Sequence, residues 1–171
     1  KTTSKLIGNL INGEWVHSNE TFEVLNKCTQ EVIATVAHAD ESTVKEAVKA
    51  AREAFETNPL TVLKRYEILM NAASIIEKRK EEISLAICRE VGKPIKEARQ
   101  EVERGIQTFI ASAEEGKRIV GEGMPIDSQP GNDGKMSFSI RVPKGVVCAI
   151  TPFNFPFNLT AHKIAPAIAA G

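Results

Sequence analysis

The hydrophobic positions along this chain change their period several times, and each change predicts an element. Residues 10–16 alternate around Asn12-Gly13, a dipeptide suited to the positive φ values of a tight hairpin turn, which predicts a short strand and its turn. A second extended run, 31–37, places Val32, Ala34 and Val36 on one face, imperfectly, and the two runs together predict a small β unit. From Asp40 the spacing becomes helical: Val44, Ala47, Val48, Ala51, Ala54 and Phe55 share a side, with Asp40 placed to cap the first turn. Asn58-Pro59 ends that helix. A longer one is predicted over 62–91, with Leu63, Tyr66, Leu69, Ala73, Ile76, Ile83 and Ile87 as its apolar side and Gly92-Lys93-Pro94 as its stop. A third helix, 95–120, buries Ala98, Val102, Ile106, Phe109 and Ala113. Its charges Glu97, Arg99, Glu101, Glu103 and Arg104 read as a solvated face.

After the turn-rich stretch 128–135, Met136, Phe138, Ile140 and Val142 alternate with polar residues, predicting a half-buried strand over 136–143. Val146-Val147-Cys148-Ala149-Ile150 is instead a continuous apolar run, the pattern of a parallel strand covered on both faces. A proline-rich loop follows at 151–158, then helical spacing resumes through Leu159, His162, Ile164, Ala165, Ala167 and Ile168. The order strand, loop, helix belongs to an open α/β layer, where ligands bind outside the carboxyl ends of strands. Because the sequence stops inside that crossover and opens on Lys1, both ends read as cut ends.

Composition narrows the class. With 171 residues the chain is one domain or a piece of one, on a scale of roughly 100–200 residues per domain. Hydrophobic residues make up 42% and charged ones 26%, ordinary for a soluble globular protein. The 22 basic and 22 acidic residues cancel, so neither nucleic acid nor an anionic membrane is expected as a partner. Three cysteines without CxxC or Cys/His spacing argue against a metal site and a disulfide framework, and fit the reducing cytoplasm. Cys148, inside an apolar run, is expected to be buried filler.

Candidate chemistry is sparse: GxGxxG, GxxxxGK[ST], GxSxG and HExxH are all missing. The loop 151–158 stands out. Pro152 and Pro156 stiffen it around Asn154, and Phe153 and Phe155 are expected to keep water from an amide suited to stabilising a developing oxyanion. Alternatively Asn154 closes a local turn through its side chain. His162 reads as a packed or solvated histidine.

The block Ile150-Thr151-Pro152-Phe153-Asn154-Phe155-Pro156, followed by His162-Lys163-Ile164-Ala165-Pro166-Ala167-Ile168-Ala169-Ala170-Gly171, resembles the signature of the NAD(P)-dependent aldehyde dehydrogenase superfamily. Ile11-Asn12-Gly13-Glu14-Trp15, Gly92-Lys93-Pro94 and Val142-Pro143-Lys144-Gly145-Val146 fall where that family has them. The resemblance implies an α/β fold in which 1–171 is the N-terminal part of a Rossmann-type NAD(P)-binding domain, helix-rich, with 136–143 as a strand of the oligomerisation arm and 146–171 as the first strand-loop-helix. It implies that Asn154 holds the oxyanion formed when a cysteine thiolate attacks an aldehyde, that Ile150, Thr151, Pro152 and Phe153 pack on NAD or NADP, and that the whole protein is a homo-oligomer, dimer or tetramer. By spacing back from 121–125, Arg104 matches a tunnel-lining helix position, with Phe155 and Asn158 lining the same tunnel. An arginine there suits lactaldehyde-like, phosphorylated or phosphonylated small aldehydes; the alternative is a solvated Arg104 paired with Glu101 or Glu97. The family's nucleophilic cysteine, its glutamate, its ribose-binding lysine and its glycine motif lie further downstream, so the catalytic domain is expected to be absent and the 171 residues alone inactive. A rival reading is a truncated, non-catalytic module that docks on intact subunits.

Overall fold

The computed structural model describes residues 5–171. The chain opens with a small β unit. Strand β1 (Lys5–Ile7) runs parallel to β5 (Val32–Ala37), and β4 (Thr21–Leu25) pairs antiparallel to β5 on its other side. Strands β2 (Asn9–Ile11) and β3 (Glu14–Val16) form a separate hairpin. Its turn has Asn12 at φ 51° and Gly13 at 84°, the two positive values that the dipeptide predicts. Strands β1 and β4, too short and too weakly patterned to stand out in the sequence, join β5 through pairing alone.

Helix α1 (Glu41–Thr57) begins where Asp40 caps it. The single helix expected over 62–91 is two: α2 (Val62–Lys78) and α3 (Lys80–Val91). The break falls at Arg79, φ −103° and ψ 12°, whose N–H still bonds Ile75 and Ile76. Neither proline nor glycine marks it, because tertiary packing makes the bend: Ile87 of α3 must reach the cluster of Ala73, Ala98, Val102 and Ile106. Gly92 ends α3 in the left-handed conformation, φ 75°, as predicted.

Helix α4 (Ile95–Gly116) stops four residues short of the expected end. Gly116 lies against the last turn of α5 (Asn158–Ala170), where an added Cβ would be 3.1 Å from the Ala169 carbonyl oxygen. Leu69, Ala113, Ala165 and Ala169 fill the second core cluster, between α2, α4 and α5. The 136–143 strand is also shorter than its alternation: β7 (Met136–Phe138) pairs with β6 (Gly123–Pro125), and one further bond, from Ser139 N–H to the Glu122 carbonyl, ends the ladder.

The apolar run 146–150 forms no strand among the described residues, and Val147 and Ile150 are 59% and 81% exposed. A parallel strand exists through its neighbours, and no described segment lies alongside to supply the ladder. Cys148 is accordingly exposed, not buried filler. Among the described residues no helix is long and apolar enough to cross a membrane, and no cluster of His, Cys, Asp or Glu could hold a metal.

The α1 cap carries a pH signature. Thr43 Oγ1 and N–H and Ser42 Oγ donate to Asp40 Oδ1 at 2.7, 2.8 and 2.8 Å, and these bonds, Thr43's hydroxyl foremost, bring the carboxyl down from 3.8 to about 2. A depressed carboxyl contributes stability that is present above its unfolded value and lost as pH falls through the folded one. Between pH 4 and pH 2, the urea midpoint of the wild type is therefore expected to fall more steeply than that of Asp40→Asn, which caps without titrating. Parallel declines would show that this carboxylate contributes nothing.

Candidate functional site

Loop 151–157 is held from below by two residues that the hydrophobic pattern assigns to stop and surface positions. Lys93 lies between the end of α3 and the start of α4, its carbonyl accepting the Cys88 thiol at 2.7 Å. From there its ammonium reaches Glu101 Oε2 at 2.5 Å, the Asn154 carbonyl oxygen at 2.9 Å and the face of the Phe155 ring, 4.0 Å from the centroid. The other Glu101 oxygen accepts the N–H groups of Phe157 and Asn158 at 2.9 and 3.2 Å. Those are donors at the start of α5, which have no intrahelical acceptor, and a carboxylate there also meets the positive end of the helix dipole.

Glu101 is thus not part of a solvated face. Its side chain is 1% exposed and that of Lys93 9%. The signal was present in the helix phase: Ala98, Glu101, Val102 and Gly105 share one side of α4, and all four are buried. Gly105 serves the same junction, because a Cβ there would lie 2.3 Å from Cε1 of Phe157, so only a residue without one lets the ring rest on the helix.

Asn154 itself is exposed, and its side-chain amide bonds no described residue, so it does not close a local turn. The expected shielding by aromatics is also not found: Phe153 is 83% exposed and Phe155 38%, because no described segment lies over the loop. Ile150 and Pro152 are exposed as well, and Thr151 is half-buried. Asn158 is half-buried, with its Oδ1 enclosed and without a partner. Arg104 is exposed and makes no ion pair among the described residues, so the surface pairing with Glu101 or Glu97 does not form. It stands on the α4 turn whose Glu101 and Gly105 touch Phe157 at the end of the loop. His162 is exposed on α5.

A cleft of about 500 Å³ lies elsewhere, between α1, the start of α2, 143–149 and α5, lined by Phe55, Leu60, Val146, Val147, Ile164 and Ile168 among others. It includes none of residues 150–158.

A small β unit leading into a helical layer, with a proline-bounded loop before a further helix, is an arrangement that solved structures share over nearly the whole chain. The model of the aldehyde dehydrogenase family matches residues 15–171, and the chain belongs to that family. It is 48% identical over 170 residues to 3-sulfolactaldehyde dehydrogenase of Priestia aryabhattai, covering 99% of this chain and 35% of that protein. It is 44% identical over 164 residues to lactaldehyde dehydrogenase of Methanocaldococcus jannaschii, covering 94% of this chain and 34% of that protein. Among solved structures, NADP-dependent glyceraldehyde-3-phosphate dehydrogenase from Bacillus halodurans, complexed with NADP, superposes with a TM-score of 0.91 at 34% identity, over 99% of this chain and 36% of that one. The chain spans about a third of the length of the relatives it matches.

The energetics of the loop's support can be tested directly. Glu101→Ala leaves the Lys93 ammonium buried and unpaired and should cost about 3–5 kcal/mol. Glu103→Ala breaks the surface bridge between Glu103 and Lys80, whose side chains are 46% and 28% exposed, and should cost far less, because solvent screens such a pair. Equal losses in urea denaturation would show that Glu101 is no more dependent on its partner than Glu103.

Proposed function

We propose that the whole protein carrying this chain oxidises a small, anionic aldehyde to the acid with NAD or NADP, and that this chain supplies the oxyanion donor and the substrate's charge anchor. The observation that carries the reading is Asn154, in a family signature, on a backbone held by a buried ion pair while its amide bonds no described residue. As a thiolate adds to the aldehyde carbon, negative charge gathers on the carbonyl oxygen, and a preorganised N–H is worth most at that moment. Asn154 Nδ2 donates there.

Residues 150–153 fit a dinucleotide. Ile150 and Phe153 present open apolar surface, and the backbone of 150–153 makes no hydrogen bond to another described residue, so both are free for contact. NAD or NADP, when bound, accepts the hydride. The thiolate and the water-activating carboxylate come from beyond this chain, so the 171 residues alone are inactive.

The anionic preference rests on Arg104, which has no ion-pair partner among the described residues and stands on the turn of α4 that meets the loop, and on relatives named for 3-sulfolactaldehyde and glyceraldehyde 3-phosphate, each of which carries an anionic group. A guanidinium matches such groups with its planar fork. Phe155 and Asn158 line the same tunnel. Assembly into a homo-oligomer, with 136–143 in the arm, is supported by Met136, Phe138 and Val142, which are 92%, 77% and 73% exposed.

In the full-length protein, Asn154→Ala should lower kcat about 10²–10³-fold, the usual loss for one oxyanion donor. A kcat near wild type, measured where hydride transfer limits turnover, would remove Asn154 from the chemistry. Arg104→Leu should raise KM for a phosphorylated or sulfonated aldehyde about tenfold or more while leaving propanal little changed, since bonds to charged groups are the stronger ones. Equal effects on both substrates would show that Arg104 does not read charge.

A further inference from the structure

The stretch 146–154 makes one hydrogen bond to the rest of the described residues, from Lys93 Nζ to the Asn154 carbonyl oxygen. Downstream the chain is better secured, since Phe155 and Pro156 accept bonds from Leu159 and Thr160 and α5 begins on Glu101. Asn154 is therefore the last residue of an otherwise untied segment, and its amide has no bond to a described residue to orient it. Where that amide points is set by the peptide that carries it. Lys93 grips that peptide from both sides, bonding its oxygen and seating on the ring of the next residue.

We infer that Lys93 is a positioning residue for Asn154: its ammonium, fixed on buried Glu101, locks the Asn154 peptide so that the amide faces the reacting carbonyl oxygen. The inference rests on the reading of Asn154 as oxyanion donor. The same carboxylate that fixes Lys93 through Oε2 fixes the start of α5 through Oε1, so one group sets both the loop and the helix that follows it. An amide released by about 1 Å no longer meets the developing charge, and misplacements of that size cost about 10²-fold. The bond acts on the Asn154 peptide and not on the charge anchor Arg104, so the effect falls far more on kcat than on KM.

The test is a cycle in the full-length enzyme, using Lys93→Met with Glu101→Gln. This pair removes both buried charges together and keeps an acceptor for the α5 donors, so it avoids a stranded ion. We expect the pair to lower kcat about 10–100-fold with KM for the aldehyde within about threefold of wild type. On an Asn154→Ala background the same pair should cost less than about twofold more, because the residue it positions is already gone. A kcat near wild type for the pair, or an undiminished loss in the Asn154→Ala background, would overturn the inference. If the pair does not fold, Lys93→Arg, which keeps the charge and shifts the donors, takes its place under the same two criteria. Chymotryptic cleavage after Phe153 separates this idea from the reading beneath it: the pair should quicken it several-fold whatever Asn154 does. Faster cleavage together with an inert Asn154→Ala would sink the oxyanion role alone, whereas unchanged cleavage would sink the clamp.

Discussion

The arrangement depends on a carboxylate taken out of water. Moving an ion from water into a protein interior costs several kcal/mol even after relaxation, so Glu101 is tolerable only with its oxygens occupied. Lys93 takes one and the first donors of α5 take the other. Four segments meet there: the end of α3, the second turn of α4, the loop and α5. A neutral side chain at 101 could cap α5 or meet Lys93, but not hold both with charge-assisted bonds.

That economy explains why the local elements were readable in advance and the site's support was not. Asp40, Asn12-Gly13 and Gly92 announce themselves because each meets a local need, a capped helix start or a positive φ, that a few neighbouring residues define. The break at Arg79 depends on partners far along the chain and no local residue type signals it, whereas the early end of α4 falls on a glycine that also lets the last turn of α5 come close. Residues 146–150 read as a strand because their composition is that of one, yet a strand needs a neighbour as well as a composition. The role proposed for Asn154 rests on the loop's two prolines and the family signature, both of which are features of the sequence. Lys93 and Glu101 were legible in type only: a lysine in a helix stop and a glutamate among charges. It was the phase of Glu101 beside Ala98, Val102 and Gly105 that contradicted the surface reading.

The loop shows a division of labour between rigid and open parts. Below Asn154 are buried charges, a ring seated on a glycine and a capped helix. Above it Ile150, Phe153 and the amide face outward. Sites of recognition and chemistry sit on such loops when a scaffold holds their roots, because the exposed groups can then be specific without being mobile.

The seam between α4 and α5 is lined by Gly105, Ala113 and Gly116 on one side and Ala161, Ala165 and Ala169 on the other. Residues this small leave evolution almost nowhere to go. Apart from Ala→Gly, which gives up about 1 kcal/mol of helix propensity, every substitution adds atoms, so drift at this seam can only crowd it and never hollow it. On α4, larger side chains find room at exposed positions such as Arg104 and not along the seam, so the two faces of one helix answer to opposite constraints on size.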